Sequence, residues 1–155
     1  MTGAGDGRSR TLVLGLGNPV RYDDGDGLRV ADAVRELLDR EPLPGVCVST
    51  STRAGFELLD LVAGVRHVVI IDCVVTPDAV PGRVRRLTLD EVAGSARLVG
   101  AHDITLKDAL ALGCAAGLEM PGIIEIYGVE AADIDRIEEG LSPAVAAAVP
   151  VLAEE

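Results

Sequence analysis

The stretch Leu12-Val13-Leu14-Gly15-Leu16-Gly17-Asn18-Pro19-Val20-Arg21-Tyr22-Asp23-Asp24-Gly25-Asp26-Gly27 runs from a short apolar segment, through two glycines, into a loop with three carboxylates. The apolar segment, residues 11–16, is short and continuous and reads as a buried strand. Directly after the loop, residues 28–40 carry a helix pattern. Leu28, Ala31, Val34 and Leu38, with Val30, Ala33 and Leu37 beside them, form one broad apolar face. Asp24 and Asp26 precede the first turn, where negative charge suits the helix dipole. A strand that hands acidic side chains to the mouth of a helix is an active-site arrangement in many α/β proteins.

The same alternation continues down the chain. Residues 46–51 read as a second strand and 56–63 as a short helix closed by Gly64. Residues 67–75 form a third strand, apolar almost throughout, as an interior strand covered on both faces would be. Residues 83–89 alternate Arg with apolar side chains and suit a half-exposed edge strand. A helix is expected over 103–117, with Ile104, Leu106, Ala109, Leu110 and Leu112 turned inward, then a strand over 123–129. Ser142-Pro143 opens a last helix in an Ncap–N1 arrangement, and Pro150 should kink or divide it. Strands alternating with helices imply a single α/β domain: a twisted, mostly parallel sheet with helices on both faces and an edge strand.

At 155 residues the chain fits one domain. Residues 1–10 carry glycine and charge without an apolar stretch and read as a flexible N-terminal tail; 11–155 make the folded domain. The tail lacks the apolar core of a secretory signal, and no apolar run is long enough to span a bilayer. Aromatics are only 2% of the chain, so Val, Leu, Ile and Ala must build the core. A net charge of −11 argues against nucleic acid, whose phosphates need clustered Lys and Arg. Cys47, Cys73 and Cys114 are odd in number and widely spaced, which fits buried free thiols in a reducing, cytoplasmic setting. No membrane partner is expected, and a monomer is the expected state.

In open α/β sheets, ligands bind outside the carboxyl ends of the strands. Asp23 and Asp24 follow the first strand, Asp72 interrupts the third near its end, and His102 precedes a helix. Carboxylates and an imidazole from three separate segments suit a divalent cation such as Zn²⁺ or Ni²⁺, with positions left open for substrate. The same groups could instead work as a general base and its partner. Asp23 is divided between this site and a turn role, and Asp26 is expected as a cap or surface carboxylate. Asp72 is hard to dismiss, because an acid in an apolar strand is costly unless paired or liganded. His67 starts its strand at the opposite edge and reads as structural. Gly15-x-Gly17 lacks the third glycine of a dinucleotide fingerprint, since position 20 is Val20, and the loop is acidic where a pyrophosphate needs neutral donors.

Gly15-Leu16-Gly17-Asn18-Pro19 followed by Asp23-Asp24-Gly25-Asp26-Gly27 resembles the signature of the hydrogenase maturation endopeptidases, which process the large subunit of nickel–iron hydrogenases. The resemblance continues through residues 54–59, through Val69-Ile70-Ile71-Asp72, through His102 with Leu106 and Leu110, and through 126–130 and 140–145. It implies a twisted, mostly parallel sheet between helices. It implies Asp24, Asp72 and His102 as metal-contacting and catalytic residues, with Asn18 fixing the loop or donating to a developing oxyanion. It implies removal of a C-terminal extension from the large-subunit precursor after nickel insertion, with nickel as the recognition element. The nickel would come with the precursor, so neither a tightly bound metal nor a further cofactor is expected. The sequence departs from the family at Ser49-Thr50-Ser51-Thr52-Arg53, often Asp- or Gly-Thr-rich, and at Gly100, commonly Ser. Arg53 is expected near the cleft, facing a carboxylate of the precursor. Competing readings are a nickel-sensing chaperone that does not cut, and a flavodoxin-like nucleotide-binding module.

Overall fold

The structure, a computed structural model, describes residues 11–94 and 104–155. Five strands form one sheet: β1 (Thr11–Leu16), β2 (Val46–Ser51), β3 (His67–Val74), β4 (Val84–Leu87) and β5 (Ile123–Glu130). Their spatial order is β2-β1-β3-β5-β4. The first three pairings, β2 with β1, β1 with β3 and β3 with β5, are parallel, and only the edge strand β4 is antiparallel, to β5. The helices are α1 (Asp26–Arg40), α2 (Leu59–Val62), α3 (Leu106–Ala115) and α4 (Pro143–Glu154). This is the expected mostly parallel α/β domain, and its edge strand proves to be antiparallel.

The two faces bury different side chains. Leu12, Leu14 and Leu16 of β1, Val68 and Ile70 of β3, and Ile126 of β5 pack against Leu59 and Val62 of α2 and Leu106 and Leu110 of α3. On the other face Ile71 and Val129 meet Val30 of α1 and Val145, Ala148 and Leu152 of α4. The alternation of Ile70 with Ile71 between these layers is the period-2 geometry of a strand covered on both sides.

Several local expectations change. Helix α1 begins at Asp26, two positions before the predicted 28–40 pattern, since the buried Asp26-Gly27 pair already belongs to its first turn. The predicted helix over 56–63 divides into a 3-10 turn, Gly55–Leu58, and the short α2. Helix α3 starts after Thr105, whose side chain caps it in a reciprocal box with Asp108, and Leu112 points outward, 52% exposed. Pro150 does not divide α4, which runs unbroken from Pro143 to Glu154. Of the three free cysteines only Cys73 is buried, and Cys114 is exposed. No helix among the described residues is long and apolar enough to cross a membrane. The predicted tail, residues 1–10, lies outside the described residues.

Helix α1 sits unusually close to the sheet. A Cβ on Gly15 would fall 2.1 Å from the Gly27 carbonyl oxygen and 2.7 Å from Ala31 Cβ. A Cβ on Gly27 would fall 2.2 Å from Leu16 O and 2.5 Å from Ile71 O. Both obstacles at Gly27 are backbone, which cannot yield without moving a strand. Gly27→Ala should therefore cost about 3 kcal/mol, the upper end of ordinary overpacking. Urea denaturation of the two proteins would read this directly, and equal midpoints would mean α1 can lift off the sheet.

Candidate active site

At the carboxyl ends of the strands lies a cavity of about 630 Å³. Asn18 and Asp24 reach it from the loop after β1, and Asp72 from β3. Asp24 is 8% exposed and Asp72 1%. Both belong to the set that the sequence singled out, and the fold brings them together. His102 lies outside the described residues. Among the described residues, no three His, Cys, Asp or Glu side chains converge as a metal cluster. Two buried carboxylates in one cavity still supply the hard oxygen donors that a divalent cation takes.

The three acids of the first loop have separate fates. Asp23 is fully buried and serves as a structural tie. Its Oδ1 accepts the Ser142 N–H at 2.6 Å; its Oδ2 accepts the Ser142 hydroxyl at 2.9 Å and the Ala132 and Asp133 N–H groups at 2.9 and 3.0 Å. Ser142 does stand at the N-cap of α4, yet its hydroxyl serves Asp23 and not the helix. Asp24 sits one residue on, in the 3-10 turn Tyr22–Gly25, and faces the cavity. Asp26 is neither the cap, a position Gly25 takes, nor the surface carboxylate expected of it. It is wholly buried, its Oδ1 accepts the Gly27 N–H, and its Oδ2 has no hydrogen-bond partner among the described residues. Burial first, then the charges of Asp72, Asp24 and Asp23, push its carboxyl well above the usual carboxylate range, against the pull of the Gly27 N–H.

Asn18 does fix the loop: its Oδ1 accepts the Val20 N–H at 3.1 Å, while its own N–H donates to Asp24 O at 2.9 Å. Asp72 Oδ1 accepts the Cys73 N–H at 2.9 Å. Cys73 contributes to the cavity wall, but its thiol is pushed far up, by burial and then by Asp26, Asp24 and Asp72. It is therefore a poor nucleophile and a poor ligand at neutral pH. His67 is structural as expected, its Nε2 lying 2.8 Å from Glu125 Oε1 at the far end of β3.

Two features were not singled out in the sequence. Arg21 and Arg85 both line the cavity, whereas Arg53 is exposed and only its neighbour Ala54 reaches the wall. Arginines alternating with apolar residues at 83–89 were the available signal, and they read equally as an exposed edge. The second feature is Glu130, fully buried at the end of β5. Arg83 Nε and Nη2 donate to its two oxygens at 2.8 and 2.9 Å, the Val80 N–H donates at 2.7 Å and the Thr76 hydroxyl at 3.1 Å. This shell ties the 76–83 connection to the sheet beside the cavity.

The comparisons with known proteins agree with this architecture. The family model described as HycI, hydrogenase maturation protease, matches residues 31–155. The chain belongs to the hydrogenase maturation proteases. The hydrogenase 2 maturation protease of Escherichia coli K12 is 31% identical over 148 residues, spanning 94% of this chain and 87% of that one. The hydrogenase expression/formation protein HupM of Azotobacter chroococcum is 30% identical, over 92% of this chain and 71% of its own. Among solved structures, the hydrogenase maturating endopeptidase HybD from Escherichia coli superposes with a TM-score of 0.73 at 29% identity, covering 94% of this chain and 88% of that one. The Thermococcus kodakarensis HybD gives 0.65 at 29% identity over 94% and 95%. The protein is thus an endopeptidase of hydrogenase maturation, with the expected family and fold. The family model starts after the acidic loop, so the assignment does not depend on Asp24.

Glu130 makes a pH-dependent contribution to this protease's stability. The Arg83 guanidinium, followed by the Val80 N–H and Thr76 hydroxyl, pulls its carboxyl from 4.5 to about 2. A carboxyl lowered on folding stabilises above its unfolded pKa and loses that contribution as pH falls through the folded one. Glu130→Gln turns an acceptor into an amide that cannot satisfy Arg83 and Val80 together. The variant should melt well below wild type at pH 7, and the gap should close between pH 4.5 and about 2. Calorimetry across that range checks it; a pH-independent gap would assign the loss to packing alone.

Proposed function

We propose that this protease removes the C-terminal extension of a nickel–iron hydrogenase large-subunit precursor after nickel insertion, using the nickel as its recognition element. The observation that carries the reading is the pairing of Asp24 and Asp72, buried acids from separate elements, in one cavity of a hydrogenase maturation protease. In this reading the nickel is part of the substrate. Asp24 and Asp72, with His102 as the third ligand, grip the metal carried by the precursor and so position the scissile peptide against the loop 18–27. A metal so held polarises the scissile carbonyl or a water.

Hydrolysis adds water across the amide: the carbonyl carbon gains oxygen, the C–N bond breaks and the departing nitrogen takes a proton. In this reading the side-chain amide of Asn18, whose Oδ1 accepts the Val20 N–H, donates to the developing oxyanion. A location in the reducing cytoplasm accords with three free cysteines. The nucleotide-binding alternative loses support from the packing: Gly15 and Gly27 are used in backbone contact between α1 and the sheet, not left free to approach a phosphate.

Incubation with a nickel-loaded precursor and with the metal-free precursor, read by intact mass, tests the proposal. Loss of a C-terminal peptide only from the nickel-loaded sample is expected. Binding without shortening would instead support the nickel-sensing chaperone. Asp24→Ala, Asp72→Ala and His102→Ala should each abolish processing, with circular dichroism unchanged; full processing by these variants would overturn the assignment of the site.

A further inference from the structure

Asp72 and Arg85 stand in one row of the sheet. Asp72 of β3 is in register with Gly128 of β5, and Arg85 of β4 is in register with the same Gly128 from its other side. Residues in register across neighbouring strands project to the same face. The carboxylate and the guanidinium therefore leave the sheet on the same side, two strand spacings apart, or roughly 10 Å between Cα atoms. Between them is the one residue type without a side chain. A Cβ on Gly128 would fall 2.8 Å from Val74 Cγ1 and 2.8 Å from Leu87 Cδ1. Asp72, Val74, Arg85 and Leu87 all line the cavity, so its floor is an apolar strip with an acid at one end and a guanidinium at the other.

Among the described residues, the donors of Arg85 make one ion pair, at 3.8 Å to Glu130, and no hydrogen bond. Glu130 is already saturated by Arg83, Val80 and Thr76. The nearby Glu91 is turned onto the Thr88 N–H at 2.7 Å. Arg21 reaches the same cavity from the first loop, its Nε donating to Ile134 O at 3.2 Å and its terminal nitrogen 3.8 Å from the exposed Asp135. A cavity with a carboxylate at one end of this row and an under-used guanidinium at the other is built for a bound segment that is itself charged at a fixed distance from the reacting centre.

We propose that Arg85 is a specificity-determining subsite that binds a carboxylate of the peptide being released. The inference rests on the proposed cleavage at Asp24 and Asp72. An extended peptide rises about 3.3 Å per residue. A carboxylate on Arg85 thus lies about three residues beyond the carbonyl held at the acidic pole. Two sources share this chemistry: an Asp or Glu side chain of the extension, or the terminal carboxylate of a very short one.

The test uses the full-length protein, a nickel-loaded precursor with an Asp or Glu within the first three residues of its extension, and the Asn or Gln version of that precursor. Arg85→Met should raise KM by roughly ten- to a hundredfold on the acidic precursor, the loss of a charge-assisted hydrogen bond, with kcat nearly unchanged. Wild type should lose the same factor on the neutral precursor, and Arg85→Met should not discriminate between the two. Arg85→Lys should restore part of the preference. If neutralising the side chain has no effect but lengthening the extension at its C-terminus does, the terminal carboxylate is the source. An unchanged KM for Arg85→Met, or equal losses on both precursors with no response to lengthening the extension, overturns the subsite.

A binding arm keeps this separate from the cleavage reading. Synthetic extension peptide, in acidic and neutral forms, is titrated while the Arg85 Nε–H resonance is followed by NMR. A shift with the acidic peptide alone supports the subsite even if no precursor is cut. No shift with either peptide, beside normal cleavage, removes the subsite and leaves the protease.

Discussion

The rest of the molecule depends on the contact between the first turn of α1 and the backbone of β1 and β3. Gly15 and Gly27 allow this approach, because any side chain at either position would overlap carbonyl oxygens of the opposing element. The contact sets the height of the helix N-terminus above the sheet, and with it the position of Asp24 immediately before that helix. Gly17 carries the same logic into the loop, where a Cβ would lie 2.4 Å from Asp24 O. The glycines thus act through the shape of the backbone, and the acids they position supply the chemistry.

Gathering four acids at one sheet edge is electrostatically costly, and the structure handles each by different means. Asp23 is surrounded by four donors from residues 132–142. Asp26 lacks such a shell and is driven towards its neutral form by burial and by its neighbours. Asp24 and Asp72 alone open onto the cavity. Carboxylates that open onto the cavity from two elements are the oxygen donors a divalent cation takes.

Much of this was legible in the sequence. Short apolar runs bounded by breakers located the buried strands β1 and β3, and alternation of side chains located the half-exposed β2 and β4. Asp72 stood out for the same reason, as a charge in the middle of such a run. Asp23 and Asp24 could not be told apart, since their difference lies in donors more than a hundred residues away. Asp26 and Gly27 looked like loop because composition does not reveal that the helix starts on them. The cationic side of the cavity was hidden as well. Whether an arginine on an edge strand faces water or a cleft depends on register, and the pairing of Arg85 with Gly128 becomes visible only when β4 and β5 are set side by side.

The Asp23 clamp also has a temporal meaning. The acidic loop lies near the start of the chain, but the Ser142 group that holds it is 119 residues further on. During synthesis at roughly 5–20 residues per second, the loop waits roughly 6–24 s for that partner. Until then Asp23 lacks the two Ser142 donors, and the Asp24 turn is braced by Asn18 and Arg21 of its own loop. A nascent chain that has not reached Ser142 therefore carries the complete acidic motif without the finished clamp. Completion of this clamp thus belongs to the last stage of the chain's synthesis, just before the last helix.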